Sequence, residues 1–262
     1  GNGNSRQSEK LFVFDYKGYP YSGDWPKREG EVGQISTAPT LVDLDNDGFL
    51  EIIVSDGNGY LYAWHHNGAV VSGSWPVNII GVSKLTTPAV GDIDGDGRLE
   101  IVGVATEENG NVYAWNGDGS PVSGNWPINV GGSEVPPVIG DINGDNNPEV
   151  IVNGKNGLFV FKGDGSILWN DDLSIPYTSS LGKSAPALGD LDGDDIPEII
   201  LVVDFQGLIS VHIFKSDGRL FGDWPCEFIA SYLEAICVIV ANVDQDAEQE
   251  ILVPVFQNDK DR

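Results

Sequence analysis

Acidic residues at alternate positions, in five short segments, hold the densest chemistry of this chain. Asp43, Asp45, Asp47 and Glu51 recur as Asp92, Asp94, Asp96 and Glu100, and again as Asp190, Asp192, Asp194 and Glu198. A copy between them reads Asp141, Asn143, Asp145 and Glu149, and a looser last copy reads Asn242, Asp244, Asp246 and Glu250. In every copy the side chains at positions 1, 3, 5 and 9 offer oxygen. The backbone carbonyl at position 7 (Phe49, Arg98, Asn147, Ile196 or Glu248) can add a further ligand. Hard oxygen ligands on one tightly curled loop suit calcium, which accepts about 6–8 oxygens at roughly 2.3–2.6 Å. Magnesium demands a stricter octahedron and retains water, so it fits less well. No nearby His or Cys supplies the softer ligands that zinc or copper would call for.

The spacing is not that of an EF-hand, whose last carboxylate falls at about position 12 between helices. Here it falls at position 9, with β-branched runs behind it. Up to five calcium ions are expected. Gly48 and Gly97 supply positive φ where the loop turns; Asn146 and Asp195 tolerate it less well, and Ala247 poorly. The first, second and fourth loops therefore rank as the best sites. The third, with neutral Asn143, is intermediate. The fifth, which opens on the amide Asn242, is the weakest or chiefly structural.

The loops sit in a repeated frame that must position them. Their first residues, 43, 92, 141, 190 and 242, stand 49, 49, 49 and 52 apart, a period in the range of propeller blades. An apolar segment with proline precedes each of the first four loops, as at Ala38-Pro39 and Thr87-Pro88. A β-branched run such as Ile52-Ile53-Val54 follows it. Next come a Gly/Asn turn, an aromatic strand (Leu61–Trp64, Val112–Trp115, Leu158–Phe161, Val211–Phe214) and a second turn. Three units close on Trp75-Pro76, Trp126-Pro127 and Trp224-Pro225, and Trp25-Pro26 stands in the same setting. Alternation and turn residues favour antiparallel strands, and four short strands per unit repeated radially make an all-β propeller.

The chain opens inside one unit, at the strand Lys10–Phe14, and stops inside another, after Glu250–Val255. The expected architecture is one domain, 1–262, of five four-stranded blades closed by pairing of the two half-blades. Trp25, Trp75, Trp126 and Trp224 read as packing between blades, with a sugar-stacking face as the other reading. Trp169 stands apart from that register.

Composition narrows the partners. The 14 basic and 40 acidic side chains give a net charge of −26, which repels nucleic acid and anionic lipid. Half of those carboxylates, 20 of 40, lie in the five loops, so much of the acidity reads as ligand density. Cys226 and Cys237 could form one local disulfide or remain two buried thiols. No apolar run reaches membrane-spanning length. With no Met and a Gly1-Asn2-Gly3-Asn4 start, the chain reads as a mature or excised segment, attached to other domains of a larger chain.

Asp43-x-Asp45-x-Asp47-Gly48-x-x-Glu51 and its copies resemble the calcium loops of FG-GAP/VCBS-type repeats, the class found in integrin α-subunit propellers and many secreted bacterial proteins. The resemblance covers the chain from Lys10 to about Val255. It implies a secreted or cell-surface propeller with calcium at an outer hairpin of each blade. It also implies a recognition or scaffolding role toward a protein or glycan ligand. Integrin-like propellers have seven blades, against five here, and the family's Phe-Gly element is degenerate at Ser55–Gly59 and Asn153–Gly157.

Catalytic residue types are sparse. His65, His66 and His212 belong to no nucleophile motif, and carboxylates that ligate a metal cannot also serve as a protonated acid. The chain reads as a non-enzyme. The alternative rests on resemblance to calcium-bearing propeller lyases of acidic polysaccharides, with Lys27, Arg28, Lys84, Arg98, Lys155 or Lys183 as the base. A purely structural propeller in a larger secreted protein is the third reading.

Overall fold

A computed structural model describes residues 11–28, 31–35, 37–171, 184–205, 208–229, 238–244 and 249–254. The first complete blade is β1 (Thr40–Val42), β2 (Glu51–Ser55), β3 (Tyr60–Trp64) and β4 (Val77–Asn78). The second is β5 (Ala89–Gly91), β6 (Glu100–Val104), β7 (Asn111–Asn116) and β8 (Ile128–Asn129). The third is β9 (Val138–Gly140), β10 (Glu149–Gly154), β11 (Gly157–Phe161) and β12 (Ile167–Asp171). The fourth is β13 (Ala187–Gly189), β14 (Glu198–Phe205), β15 (Leu208–Phe214) and β16 (Cys226–Ile229). A two-stranded sheet, β17 (Ile239–Ala241) with β18 (Glu250–Leu252), starts the next unit. Every sheet is an antiparallel meander in sequence order, as the repeat predicts.

The first half-unit is present too, held by the bridges Leu11↔Lys27 and Phe14↔Pro20. Its Leu11, Val13 and Trp25 pack on Val54, Tyr62 and Trp64 of the first blade. Blade repeat and count follow the sequence reading. A pairing of β18 with the Leu11–Phe14 segment is not among the strand pairs of the described residues, so the two half-blades are described separately. No helix among the described residues is long and apolar enough to cross a membrane.

The core is a series of seams between blades. One seam joins Ile53, Leu61 and Trp75 to Leu85, Ile101 and Trp115; the next joins Val102, Val112 and Val122 to Val150, Val152 and Phe161. Each four-stranded sheet is thus covered on both faces. This is why β2, β6 and β10 are buried along their whole length and read as unbroken β-branched runs instead of alternating ones.

Neighbouring blades meet closest at their first strands, where β5 touches β9 and β13 touches β17. The residue just before the loop is Gly91, Gly140 or Gly189 in three units. A Cβ there would collide with Ile139, Leu188 or Val240 of the following blade. The acidic loop connects this first strand to the second, at the end of the strand that faces the next blade.

Tryptophan closes the seams. Trp25, Trp75 and Trp126 donate Nε1–H to the carbonyls of His66, Gly117 and Gly163 in the next unit, at 2.9, 3.0 and 2.9 Å. These three indoles lie in the seams, which agrees with packing between blades. Trp169 does the same job toward Ser216, at 2.8 Å. Cys226 is exposed, and Cys237 lies outside the described residues.

Candidate metal centres

The first four loops share one backbone. Positive φ occurs at position 4 (Asn46, Gly95, Gly144, Gly193) and at position 6 (Gly48, Gly97, Asn146, Asp195). Position 4 was not singled out from sequence, and Asn146 and Asp195 adopt the strained conformation after all. Curling this way aims the position-6 N–H at the first carboxylate. Gly48, Gly97, Asn146 and Asp195 donate to Oδ2 of Asp43, Asp92, Asp141 and Asp190 at 3.0, 2.9, 2.8 and 2.9 Å. The position-7 N–H of Phe49, Arg98, Asn147 and Ile196 likewise donates to Asp47, Asp96, Asp145 and Asp194.

The result is a crowd of like charges. Oxygens of Asp43, Asp45 and Asp47 lie within 4.8 Å of one another, as do those of Asp92, Asp94 and Asp96, and of Asp190, Asp192 and Asp194. Crowding of this kind costs free energy unless a cation screens it.

The position-9 glutamates are the anchors. Glu51, Glu100, Glu149 and Glu198 are buried. One oxygen of each accepts the position-2 N–H, from Leu44, Ile93, Ile142 and Leu191, at 2.8–3.1 Å. Glu250 does the same for Val243 at 2.8 Å. Burial, reinforced by the charges of Asp94, Asp96 and Asp92, pushes Glu100 up to about 7. Burial and neighbouring loop aspartates also raise Glu149 and Glu198. A buried carboxylate facing three more carboxylates is an electrostatic debt that a divalent cation cancels. The all-oxygen donor set of the second loop fits calcium by the same chemistry.

The loops differ in the residue that follows the aromatic strand and faces the glutamate: His65, Asn116, Lys162 and Lys215 in chain order. His65 Nδ1 lies 3.0 Å from Glu51 Oε1 and 3.8 Å from Asp45 Oδ2. This corrects the expectation that no histidine stands near a loop. Lys215 Nζ lies 3.1 Å from Asp192 Oδ2, so the fourth loop already holds a cation, which lowers its expected rank. In the third loop Asn143 Nδ2 donates to Glu149 Oε1 at 2.6 Å while its carbonyl oxygen accepts from the Asp145 N–H. In the fifth, Asn242 and Asp244 are engaged with neighbours, and Asp246, Ala247 and Glu248 lie outside the described residues.

Grooves run between successive loops. One of about 530 Å³ is walled by Asp45, Asp96, Arg98 and Asp118. Another, of about 330 Å³, is walled by Asp94, Asp145, Lys162 and Asp164. The basic residues named for a lyase are scattered. Lys27 is buried against Asp24 and the Gly68 carbonyl, and Arg28 is exposed. Lys84 and Lys155 lie beside Thr106, at the far end of the strands from Arg98, and Lys183 lies outside the described residues. His212 is buried against Ser210 at 2.8 Å, and burial lowers its pKa.

A family model, the FG-GAP-like repeat, matches residues 43–103, 92–152 and 141–201. Each match opens on the first aspartate of a loop and ends in the second strand of the next unit. Together they span more than half of the chain. The chain belongs to the FG-GAP-like repeat family. No curated protein matches it in sequence. Among solved structures it is similar to the V. cholerae biofilm matrix protein Bap1, with a TM-score of 0.51, 24% identity, 72% of this chain covered and 28% of that one. It is also similar to BBS1N, solved in complex with ARL6DN, with a TM-score of 0.54, 15% identity, 97% of this chain covered and 74% of that one. The chain therefore spans under a third of Bap1, and these likenesses speak for the propeller fold. It is an FG-GAP repeat propeller-type module.

Proposed function

We propose that this propeller is an extracellular calcium-binding module that recognises or scaffolds a protein or glycan ligand, with calcium in the loops stabilising the blades. The observation that carries the reading is the repeated pairing of a buried position-9 glutamate with an aspartate triad on a pre-curled loop. When bound, calcium would supply charge compensation and cross-linking, held in the second loop by Asp92, Asp94, Asp96, Glu100 and the Arg98 carbonyl. Exposed loops of this kind suit sites of about 10⁻⁴–10⁻³ M affinity, which fill where calcium is millimolar, outside cells. Bap1 is a biofilm matrix protein and BBS1N was solved with a protein partner. Both favour a non-catalytic role, and the scattered basic residues favour it over a lyase.

Thermal unfolding with and without calcium tests the reading, because a ligand of the folded state alone stabilises by mass action. Melting should rise steadily as calcium goes from micromolar to millimolar. Unchanged melting at 5–10 times about 10⁻³ M calcium would overturn the metal assignment. Unsaturated products from an acidic polysaccharide would overturn the non-catalytic one.

A further inference from the structure

We propose that the first loop is a mixed nitrogen–oxygen metal site, built by His65 with Asp45 and Glu51, that takes a transition dication such as zinc in preference to calcium. The two-stranded turn of β2 onto β3 carries His65 back over the loop, 14 residues after Glu51, and directs Nδ1 at the two carboxylates. One ligand atom from each of Asp45, Glu51 and His65 falls within a 4.8 Å cluster. Nitrogen and oxygen ligands about 2.0–2.2 Å from one ion stand roughly 3.0–3.8 Å apart at ligand–metal–ligand angles of about 90–130°. The 3.0 and 3.8 Å separations from Nδ1 fall in that range.

Among the described clusters this one alone holds a nitrogen, since Asp43, Asp45 and Asp47 of the same loop and the triads of the second and fourth loops offer carboxylates only. At the equivalent position the other blades carry Asn116, whose amide turns to Ser120 and Pro121, and the cations Lys162 and Lys215. The site is also braced. Glu51 is fully buried with its second oxygen fixed by the Leu44 N–H. Phe49 stacks on His66 with ring centroids 4.3 Å apart, pinning the loop to the end of the aromatic strand beside His65. An imidazole nitrogen beside two carboxylates is a borderline donor set. It suits zinc, cobalt, nickel or manganese, whereas calcium prefers oxygen throughout. Selectivity would then be split within one chain, with the loops that lack His65 left to calcium.

The inference stands on His65 and does not require calcium in any other loop. The test is a zinc chloride titration of the whole chain, in calcium-free and calcium-containing buffer, reading the nitrogen resonances of the three imidazoles. One equivalent of zinc should shift His65 and leave His66 and His212 in place. Cobalt should give visible absorption bands that zinc removes. His65→Asn copies the second blade and so keeps a residue the fold accepts. It should weaken zinc binding by more than the about tenfold that losing even an outer-shell partner of a ligand costs, and leave the calcium stoichiometry of the other loops unchanged. Zinc that shifts another histidine or none, or that binds the wild type and His65→Asn equally, overturns the site. If calcium fails to bind anywhere while zinc still shifts His65, the calcium reading falls and this one stands.

Discussion

The indole Nε1–H of Trp169 donates to the carbonyl of Ser216 at 2.8 Å, across the seam between the third and fourth blades. Trp126 makes the equivalent bond to Gly163 one seam earlier. Each ring also lies against a turn glycine of the next blade, Trp169 on Gly218 and Trp126 on Gly165, where a Cβ would sit only 2.9 and 3.1 Å from the ring. The seam is therefore fastened by one hydrogen bond and one large apolar contact per blade.

Removing the donor while keeping a ring should show what each fastening contributes. Trp126→Phe and Trp169→Phe should each lose about 1 kcal/mol through the missing hydrogen bond, with a further loss from the smaller ring. Trp126→Ala should lose about 3–5 kcal/mol. Urea or thermal unfolding gives both numbers. Equal stability of Trp126→Phe and wild type would show that the bond is idle.

The two tryptophans also mark where the sequence could be read and where it could not. Trp126 follows the turn glycine Gly119 by seven residues, as Trp25 follows Gly18 and Trp75 follows Gly68, whereas Trp169 follows Gly165 by four. The shorter strand reaches the same place because β11 and β12 pair with a shift of register between Val160 and Phe161, a local irregularity with no sequence mark. The Asp-x-Asp-x-Asp loops and the β-branched runs were legible because strict spacing carries them. His65 was not, since its proximity to Glu51 comes from hairpin register. Pairing Ile52 with Trp64 places the next residues, Glu51 and His65, face to face, and the aligned aromatic strands would have shown it. The collision-free glycines Gly91, Gly140 and Gly189 were visible as a repeated Gly-Asp, but only packing reveals their purpose.

Lys215 should compete with metal in the fourth loop. Its ammonium lies 3.1 Å from Asp192, which raises its own pKa, and a cation bound there must leave or move when calcium arrives. An exposed pair of this kind is weak and screened by solvent and salt. Lys215→Asn, which copies Asn116 of the second blade, should thus tighten calcium in the fourth loop about two- to fivefold. Calorimetric titration in a background where Asp94→Asn and Asp145→Asn weaken the neighbouring loops would read it. Weaker binding in Lys215→Asn would mean that the lysine assists the site.

Glu100 should make the metal-free protein less stable as pH rises. Its folded pKa is about 7 against an ordinary 4.5, because of burial and the loop aspartates around it. Between those values the folded state holds a proton that the unfolded state has released. Its contribution is therefore full below about 4.5 and is lost as pH climbs through 7. Glu100→Gln keeps the acceptor for the Ile93 N–H and removes the titration. In chelator, wild type should fall relative to Glu100→Gln from pH 5 to 7.5, and calcium should close the gap at the upper end. Parallel melting curves would place the carboxylate in ordinary solvent.

Ring closure can be tested at the fastening the half-blades should share. The turn Asp15–Tyr19 has the same hydrogen bonds as the acceptor turns of the complete blades, Asp15 N–H to Tyr19 and Gly18 N–H to Asp15, matching His65 to Ala69 and Gly68 to His65. Trp224 stands where Trp75 and Trp126 stand in their units, half-buried against the fourth blade. By that register its Nε1–H should reach the Tyr16 carbonyl, the position of His66 and Gly117, when the two half-blades join. Joining would also cover Phe12 and Phe14 on one side and Ile239 and Leu252 on the other, all exposed in the separate halves. Trp224→Phe should then cost about as much stability as Trp126→Phe, roughly 1 kcal/mol or more. The Trp224 side chain should also be shielded from a soluble quencher. A neutral Trp224→Phe, together with a freely quenched Trp224 in the wild type, would mean that the halves do not pair with each other.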